Sequence, residues 1–425
     1  MKDTNVKQSK ASRILTIILC FVMIFCGLGL WAQKGLFLAP ITDALGISRT
    51  AYSIADTCRY VTTAVVNVFF GFFINKFGAK KLVVFGFIAL TLAPLCYAFA
   101  TNVWLFYLGG CLLGIGFSFG STAIIGYVIN KVCRKNKGTV MGAILCANGL
   151  AGATIAPIIT PMIEKSAFGY RNAFYMFAII SAVALLLFIF LLKEPKNAIE
   201  EGEVLDKQEQ KENWQGINYK QALKSKYFYL ACICIFLTGL ILTGVTSNYA
   251  AHLKDRGFNA DQISIIAIVS SVALALFKFL NGLVYDRAGL RVAITIDCVA
   301  AFLVMVVLYF IVPTGLGFAL GIMYAILAGI ALPLETVMLP IYAKDLFGQK
   351  SFSKVLGIFV SLNQVGYALG APLMNLFYDF SGTYDLGLII SAGIMFITII
   401  LLQIVISSAN KLKKMPEEQL LNYKN

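Results

Sequence analysis

Twelve blocks of mostly apolar residues run along this 425-residue chain, at roughly 14–41, 50–74, 82–100, 103–130, 138–163, 172–192, 227–250, 262–284, 292–312, 315–342, 355–377 and 386–407. Each is about 20 residues or longer, enough for a helix rising 1.5 Å per residue to cross a ~30 Å hydrocarbon core. Inside that core every backbone N–H and C=O must be satisfied within the spanning structure, which for blocks of this length means helices. The chain is 59% hydrophobic and 13% charged, against about a quarter charged in soluble domains. The predicted fold class is an all-α membrane protein with twelve transmembrane helices. The first block has no small-residue cleavage site and carries Trp31, Lys34 and Pro40 towards its end, so it reads as helix 1 and not as a signal peptide.

The formal net charge is +14, yet nucleic acid is not an expected partner, because the basic residues sit in short loops between apolar blocks. Of 35 Lys and Arg, only Arg49, Lys165, Arg171, Lys254 and Arg256 fall in the loops of one side, and Lys34, Arg59 and Lys278 lie within helices. By the positive-inside rule both termini are cytoplasmic, in the plasma membrane of the cell. Nine of the ten cysteines (all but Cys133) lie in apolar blocks without CxxC spacing, and read as small buried residues; no disulfide framework or metal site is expected. One long polar stretch, containing EPKNAIEEGEVLDKQEQKEN, divides the chain into 1–192, a cytoplasmic linker at 193–226, and 227–425 with a short tail. The halves repeat: Gly27–Asp43 aligns without gaps on Gly239–Asp255, and Gly71–Lys80 aligns on Gly282–Arg291.

Gly282-Leu-Val-Tyr-Asp286-Arg287-Ala-Gly289-Leu-Arg291 resembles the signature loop after the second helix of each half in major facilitator transporters. The first copy keeps Gly71, Gly78, Lys80 and Lys81 but has Asn75 where the family has an acid. Gly169-Tyr-Arg171 before helix 6, and Gly149, Gly152 and Pro157 in helix 5, are looser resemblances. The resemblance implies two six-helix bundles, alternating access by rocking of the halves, and a cytoplasmic gate built from these loop residues. Within the superfamily, Lys278-Phe-Leu-Asn281-Gly282-Leu-Val284 resembles monocarboxylate transporters and oxalate/formate antiporters. Those families hold a substrate carboxylate on a cation at the place of Lys278. Lys34, in WAQKGLFLAP, is similar to a helix 1 lysine of some monocarboxylate carriers.

The buried charges point the same way on physical grounds. A lysine at mid-membrane costs on the order of 2.5–3.5 kcal/mol, so one is retained for function or pairing. Lys278 lies eight residues before Asp286, roughly 12 Å deep at helical rise; it reads as a substrate anchor or as half of an interhelical ion pair. Glu335 in helix 10 reaches a matching depth and reads as the partner that neutralises Lys278 in the empty carrier, or as a packing contact. Lys34 is a candidate for substrate attraction or gating, although it could snorkel. Asp56 and Arg59, at i,i+3, read as a structural pair or coupling element. Trp31 falls three residues before Lys34, a helical spacing that shares its face; Tyr324, Asn363 and Gln364 complete the candidate substrate contacts. Asp297 reads as part of the loop gate or a cap, and His252 as a solvated residue at a helix end.

No phosphate-binding Gly-rich loop with Lys-Ser/Thr is present, so no nucleotide or other cofactor is expected, and no nucleophile–base pair suggests an enzyme. The expected function is secondary active transport of a small mono- or dicarboxylate, as proton-coupled symport or anion exchange, by a monomer in the lipid bilayer. Export of a neutral or cationic compound is the alternative within transport. A non-transporting solute sensor is the alternative outside it, although neither terminus is long enough for a signalling domain.

Overall fold

The computed structural model describes residues 10–120, 122–132, 137–193, 217–336, 338–348 and 351–413; Cys133 and residues 194–216 of the linker lie outside them. Among the described residues, each of the twelve apolar blocks is mainly helical. The first is broken: α1 (Lys10–Ile24) passes into a π-helical turn at Phe25–Gly29, then a 3₁₀ turn at Lys34–Phe37, and resumes as α2 (Leu38–Leu45). Two glycines weaken the α-helix there, and Pro40 cannot donate to the Leu36 carbonyl.

Next come α3 (Arg49–Val68), α4 (Phe70–Phe77), α5 (Ala79–Phe99), α6 (Val103–Phe119), α7 (Thr122–Val132), α8 (Lys137–Glu164) and α9 (Tyr170–Leu191). A short helix α10 (Tyr219–Ala222), started by an Asn218/Gln221 capping box, leads into α11 (Lys226–Asp255). Then follow α12 (Ala260–Phe310), α13 (Gly315–Ala331), α14 (Pro333–Thr336), α15 (Met338–Phe347), α16 (Phe352–Ser381) and α17 (Asp385–Lys413). The 51 residues of α12 would measure roughly 76 Å if straight, more than twice one ~30 Å core. Gly289 divides it into the two predicted blocks, with φ 79° and ψ 173°. Gly78, at the same place in the first repeat, has φ 79° and ψ 166°. An L-residue with a side chain rarely adopts this conformation, so both repeats turn on a residue chosen for it.

Contacts divide the chain into two compact units. Unit 1 holds Met1–Ile47 and Cys58–Val204, and unit 2 holds Ser48–Thr57 and Leu205–Asn425. The first residues of α3 therefore pack with unit 2, while the rest of that helix packs with unit 1. Unit 1 has an aromatic core in which Trp31 and Phe37 stack on Phe174, with Tyr97 and Phe177 edge-on to Trp31. Unit 2 is organised by a close crossing of α11 and α16. A Cβ on Gly366 would lie 2.5 Å from the Phe236 carbonyl oxygen, and one on Gly370 2.3 Å from that of Leu240. This Gly-x-x-x-Gly spacing lets the two backbones touch, as membrane helices do where small residues face each other.

Candidate functional site

In unit 1 the break in the first span sets the site. Residues between the π turn and the 3₁₀ turn are not α-helical, and the Lys34 N–H donates to the Trp31 carbonyl at 3.3 Å. Trp31 is buried in the aromatic core, whereas the half-buried Lys34 has its Nζ 5.8 Å from the centre of the Tyr60 ring. The Arg59 guanidinium carbon lies 4.0 Å from the same ring and 5.3 Å from that of Phe117. Two cations thus gather at one tyrosine within spanning segments, a geometry in which each gains from the ring quadrupole.

In unit 2 the tenth apolar block is broken as well. Pro333 lacks the N–H that would continue α13, and Glu335 sits in the short α14 that follows. Glu335 is 5% exposed, and Tyr367 and Asn363 of α16 are its hydrogen-bonding neighbours. Its Oε1 meets no hydrogen bond of good geometry, nor does Asn363 Nδ2. Both residues line a narrow cavity that also reaches Tyr342, Thr238 and Cys234. The side chains around this cavity include no lysine or arginine. Gln364, the next residue on α16, likewise keeps a buried Oε1 without a hydrogen bond.

The other predicted residues are distributed over unit 2. Lys278 is half-buried in α12. Tyr324 is fully buried, its ring 5.2 Å from that of Tyr249. In the signature loop Asp286 and Arg287 are exposed, and Arg291 donates to Ser407 of α17. Tyr285, beside them, donates to Asp345 at 3.1 Å. Asp297 is no loop latch or cap: it is wholly buried and accepts a 2.5 Å hydrogen bond from Asn281, which ties the two arms of α12. Among the described residues no group of three or more His, Cys, Asp or Glu side chains could hold a metal ion.

A polar network missed in the sequence lies where α3 begins and α11 ends. Arg49 donates to both carboxylate oxygens of Asp255, at 2.5 and 2.7 Å, and to the Tyr384 hydroxyl at 3.1 Å. Tyr384 donates to Asn375 at 2.6 Å, and Asn375 donates to Ser53 at 2.5 Å and to Asn248 at 2.8 Å. His252 belongs beside this network and is not solvated. It is buried, with Nε2 2.8 Å from the Leu308 carbonyl oxygen and its ring edge-on to Tyr384. Asn248 and Asn375 carried the only signal, as amides inside apolar blocks; their partners are up to 322 residues apart in sequence.

A membrane bundle of two repeated units, with charged residues at breaks in its first and tenth spans, defines a class: secondary carriers with discontinuous helices near the substrate path. The chain matches the Major Facilitator Superfamily over residues 19–339 and 231–421, and belongs to that family. It is a membrane transporter and not an enzyme. Over 349 residues, 81% of each chain, it is 25% identical to the sialic acid transporter NanX of Escherichia coli (strain K12). It is also 26% identical, over 231 residues, to multidrug resistance protein 2 of Bacillus subtilis (strain 168), spanning 54% of this chain and 56% of that one. Among solved structures, the nucleoside transporter NupG superposes with a TM-score of 0.71 over 95% of this chain and all of its own, at 17% identity. That likeness is one of fold.

Proposed function

We propose that this transporter carries a small organic anion, a mono- or dicarboxylate, by alternating access between bundles 1–192 and 227–425, as proton symport or anion exchange. The observation that carries the reading is the pair of half-buried cations, Lys34 and Arg59, at the Tyr60 ring. Cations in a spanning segment are expensive to keep, and a carboxylate cargo offsets that cost during each cycle. Lys278 supplies a further cation in unit 2, in the segment that resembles monocarboxylate and oxalate/formate carriers. Kinship with a transporter named for an acid, over four-fifths of both chains, agrees. Glu335 is the site for a coupling proton, an ionisable group buried in a span beside a cavity whose side chains include no lysine or arginine. The protein acts as a monomer in the plasma membrane, both termini cytoplasmic.

A second reading, export of a neutral or cationic compound, is favoured by the same Glu335 in its cation-free cavity and by the multidrug resistance relative. Purified full-length protein in liposomes separates the two. Uptake of labelled formate, oxalate, lactate, pyruvate and succinate is measured with and without a pH gradient, beside a cationic dye. The anion reading expects saturable uptake of at least one acid, reduced about ten-fold or more in Lys34→Ala and Lys278→Ala by loss of a charge-assisted contact. Transport of the dye with no acid carried, or acid uptake untouched by both substitutions, defeats it.

A further inference from the structure

Five exposed lysines at one end of unit 2 take no part in the candidate site. Lys220 lies in α10 and Lys224 just after it, Lys226 opens α11, Lys344 is in the last turn of α15, and Lys354 is in the first turn of α16. Packing brings these elements to one corner. The Ile217 N–H donates to the Phe347 carbonyl at 3.2 Å, and the rings of Phe228 and Phe347 are centred 5.6 Å apart. The Lys354 Nζ stands 5.2 Å from the centre of the Tyr219 ring. Ile217 is 1% exposed, and Asn218 with Gln221 closes a capping box, so the backbone carrying Lys220 and Lys224 is held against the unit. The sequence from Ile217 to Lys254 contains no acidic residue. Asp345, the acid beside Lys344, accepts a hydrogen bond from Tyr285 at 3.1 Å.

Like charges gathered on a fixed backbone repel one another, and an anion among them relieves that repulsion. The position of the cluster indicates which anion. Lys226, Tyr229 and Ile233 fall at i, i+3 and i+7 of α11, on one face of the helix, and Tyr229 and Ile233 are 55% and 51% exposed. Seven residues of helix rise about 10 Å. A cation at headgroup level is thus followed by a tyrosine at the interface and an aliphatic side chain beside the acyl chains. We propose that this corner of unit 2 binds an anionic phospholipid. Its headgroup lies among the lysines of α10, α15 and α16, and an acyl chain runs along the exposed face of α11. Each lysine at a membrane surface strengthens the hold on acidic lipid about five-fold. A soluble anion would meet the lysines alone and gain nothing from Tyr229 and Ile233.

The test is native mass spectrometry of the detergent-solubilised full chain. It counts bound phosphatidylglycerol against phosphatidylcholine of the same acyl chains, with glycerophosphate as a soluble competitor. Wild type is expected to hold phosphatidylglycerol about ten-fold or more tightly than phosphatidylcholine. Replacing Lys220, Lys224 and Lys354 together by glutamine should abolish that preference, and replacing the same three by arginine should keep it. Replacing Lys76, Lys81 and Lys193 by glutamine, three exposed lysines of unit 1, removes equal charge and should leave the preference in place. Equal binding of the two lipids by wild type, or a preference lowered alike by both glutamine triples, overturns the site. Displacement of phosphatidylglycerol by an equal concentration of glycerophosphate also overturns it, and assigns the lysines to a soluble phosphate. A preference that emerges only when Glu200, Glu201 and Glu203 of the linker are replaced by glutamine assigns them to the chain's own acids, and likewise overturns it.

Discussion

Replacing Asp255 by alanine strips the counter-ion from a guanidinium that has almost no access to solvent. The Arg49 side chain is 6% exposed and that of Asp255 28%, and Arg49 also lies 3.8 Å over the Tyr378 ring. Breaking a buried pair by removing one partner costs about 3–5 kcal/mol. Asp255 keeps part of its water, which places the loss near the lower end, about 3 kcal/mol. For a chain larger than the domains for which the scaling is known, at about 2 °C per kcal/mol, the apparent Tm should fall by roughly 6 °C. Asp385→Ala is the internal control. Its pair with Arg256 is 30% and 32% exposed, so its loss should stay below about 1 kcal/mol, or roughly 2 °C. The assay is thermal unfolding in detergent followed by size exclusion, at one fixed heating time because such unfolding is rarely reversible. A double replacement, Arg49→Met with Asp255→Leu, should recover much of the loss, since a well-packed apolar pair can substitute for a buried ionic one. The reasoning fails if Asp255→Ala melts within about 1 °C of Asp385→Ala, or if the double replacement melts no higher than the single one.

Two further outcomes follow from the backbone and the core. Gly289→Ala, at φ 79°, should cost about 1–3 kcal/mol through strain in a conformation that disfavours a side chain; Gly78→Ala should cost a similar amount, and both are read by the same melting assay. Trp31→Ala should cost about 3–5 kcal/mol by opening a cavity in the aromatic core of unit 1, and Trp31→Phe clearly less; binding of an acid by the folded Trp31→Phe variant would show that the indole is structural.

Element identity was legible because a membrane leaves so few options. Length and polarity alone placed each span, and the two glycines with matching φ sit where the repeat aligned Gly78 with Gly289. Geometry inside the spans was much less legible. The i,i+3 argument for Trp31 and Lys34 presumes an unbroken α-helix, and the chain there is a turn between π and 3₁₀ segments. Arg49 and His252 looked like residues of a wetted edge, because their burial depends on Asp255, Tyr384 and Leu308, which only tertiary packing brings together. Asp297 was misplaced for the same reason: Asn281, its partner, lies across the turn at Gly289.

The two breaks have a common physical consequence. An α-helix that continues through a membrane offers no free backbone group, so its interior can interact only through side chains. Where Pro333 ends α13, and where Gly27, Gly29 and Pro40 interrupt the first span, that regularity is lost within a membrane-spanning segment. Breaks of this kind are tolerated only where protein or a water-filled cavity surrounds them. Lys34 opens the 3₁₀ turn of one break, and Glu335 lies in the short helix of the other beside a cavity. Each ionisable group therefore stands where the backbone is already committed to a polar environment, and this lowers the cost of retaining it. A charge placed by packing alone, such as Arg49, is instead tied by three hydrogen bonds to Asp255 and Tyr384. Arg49 thus shows the second way a chain keeps a charge at low exposure, by a counter-ion and a phenol brought together in packing.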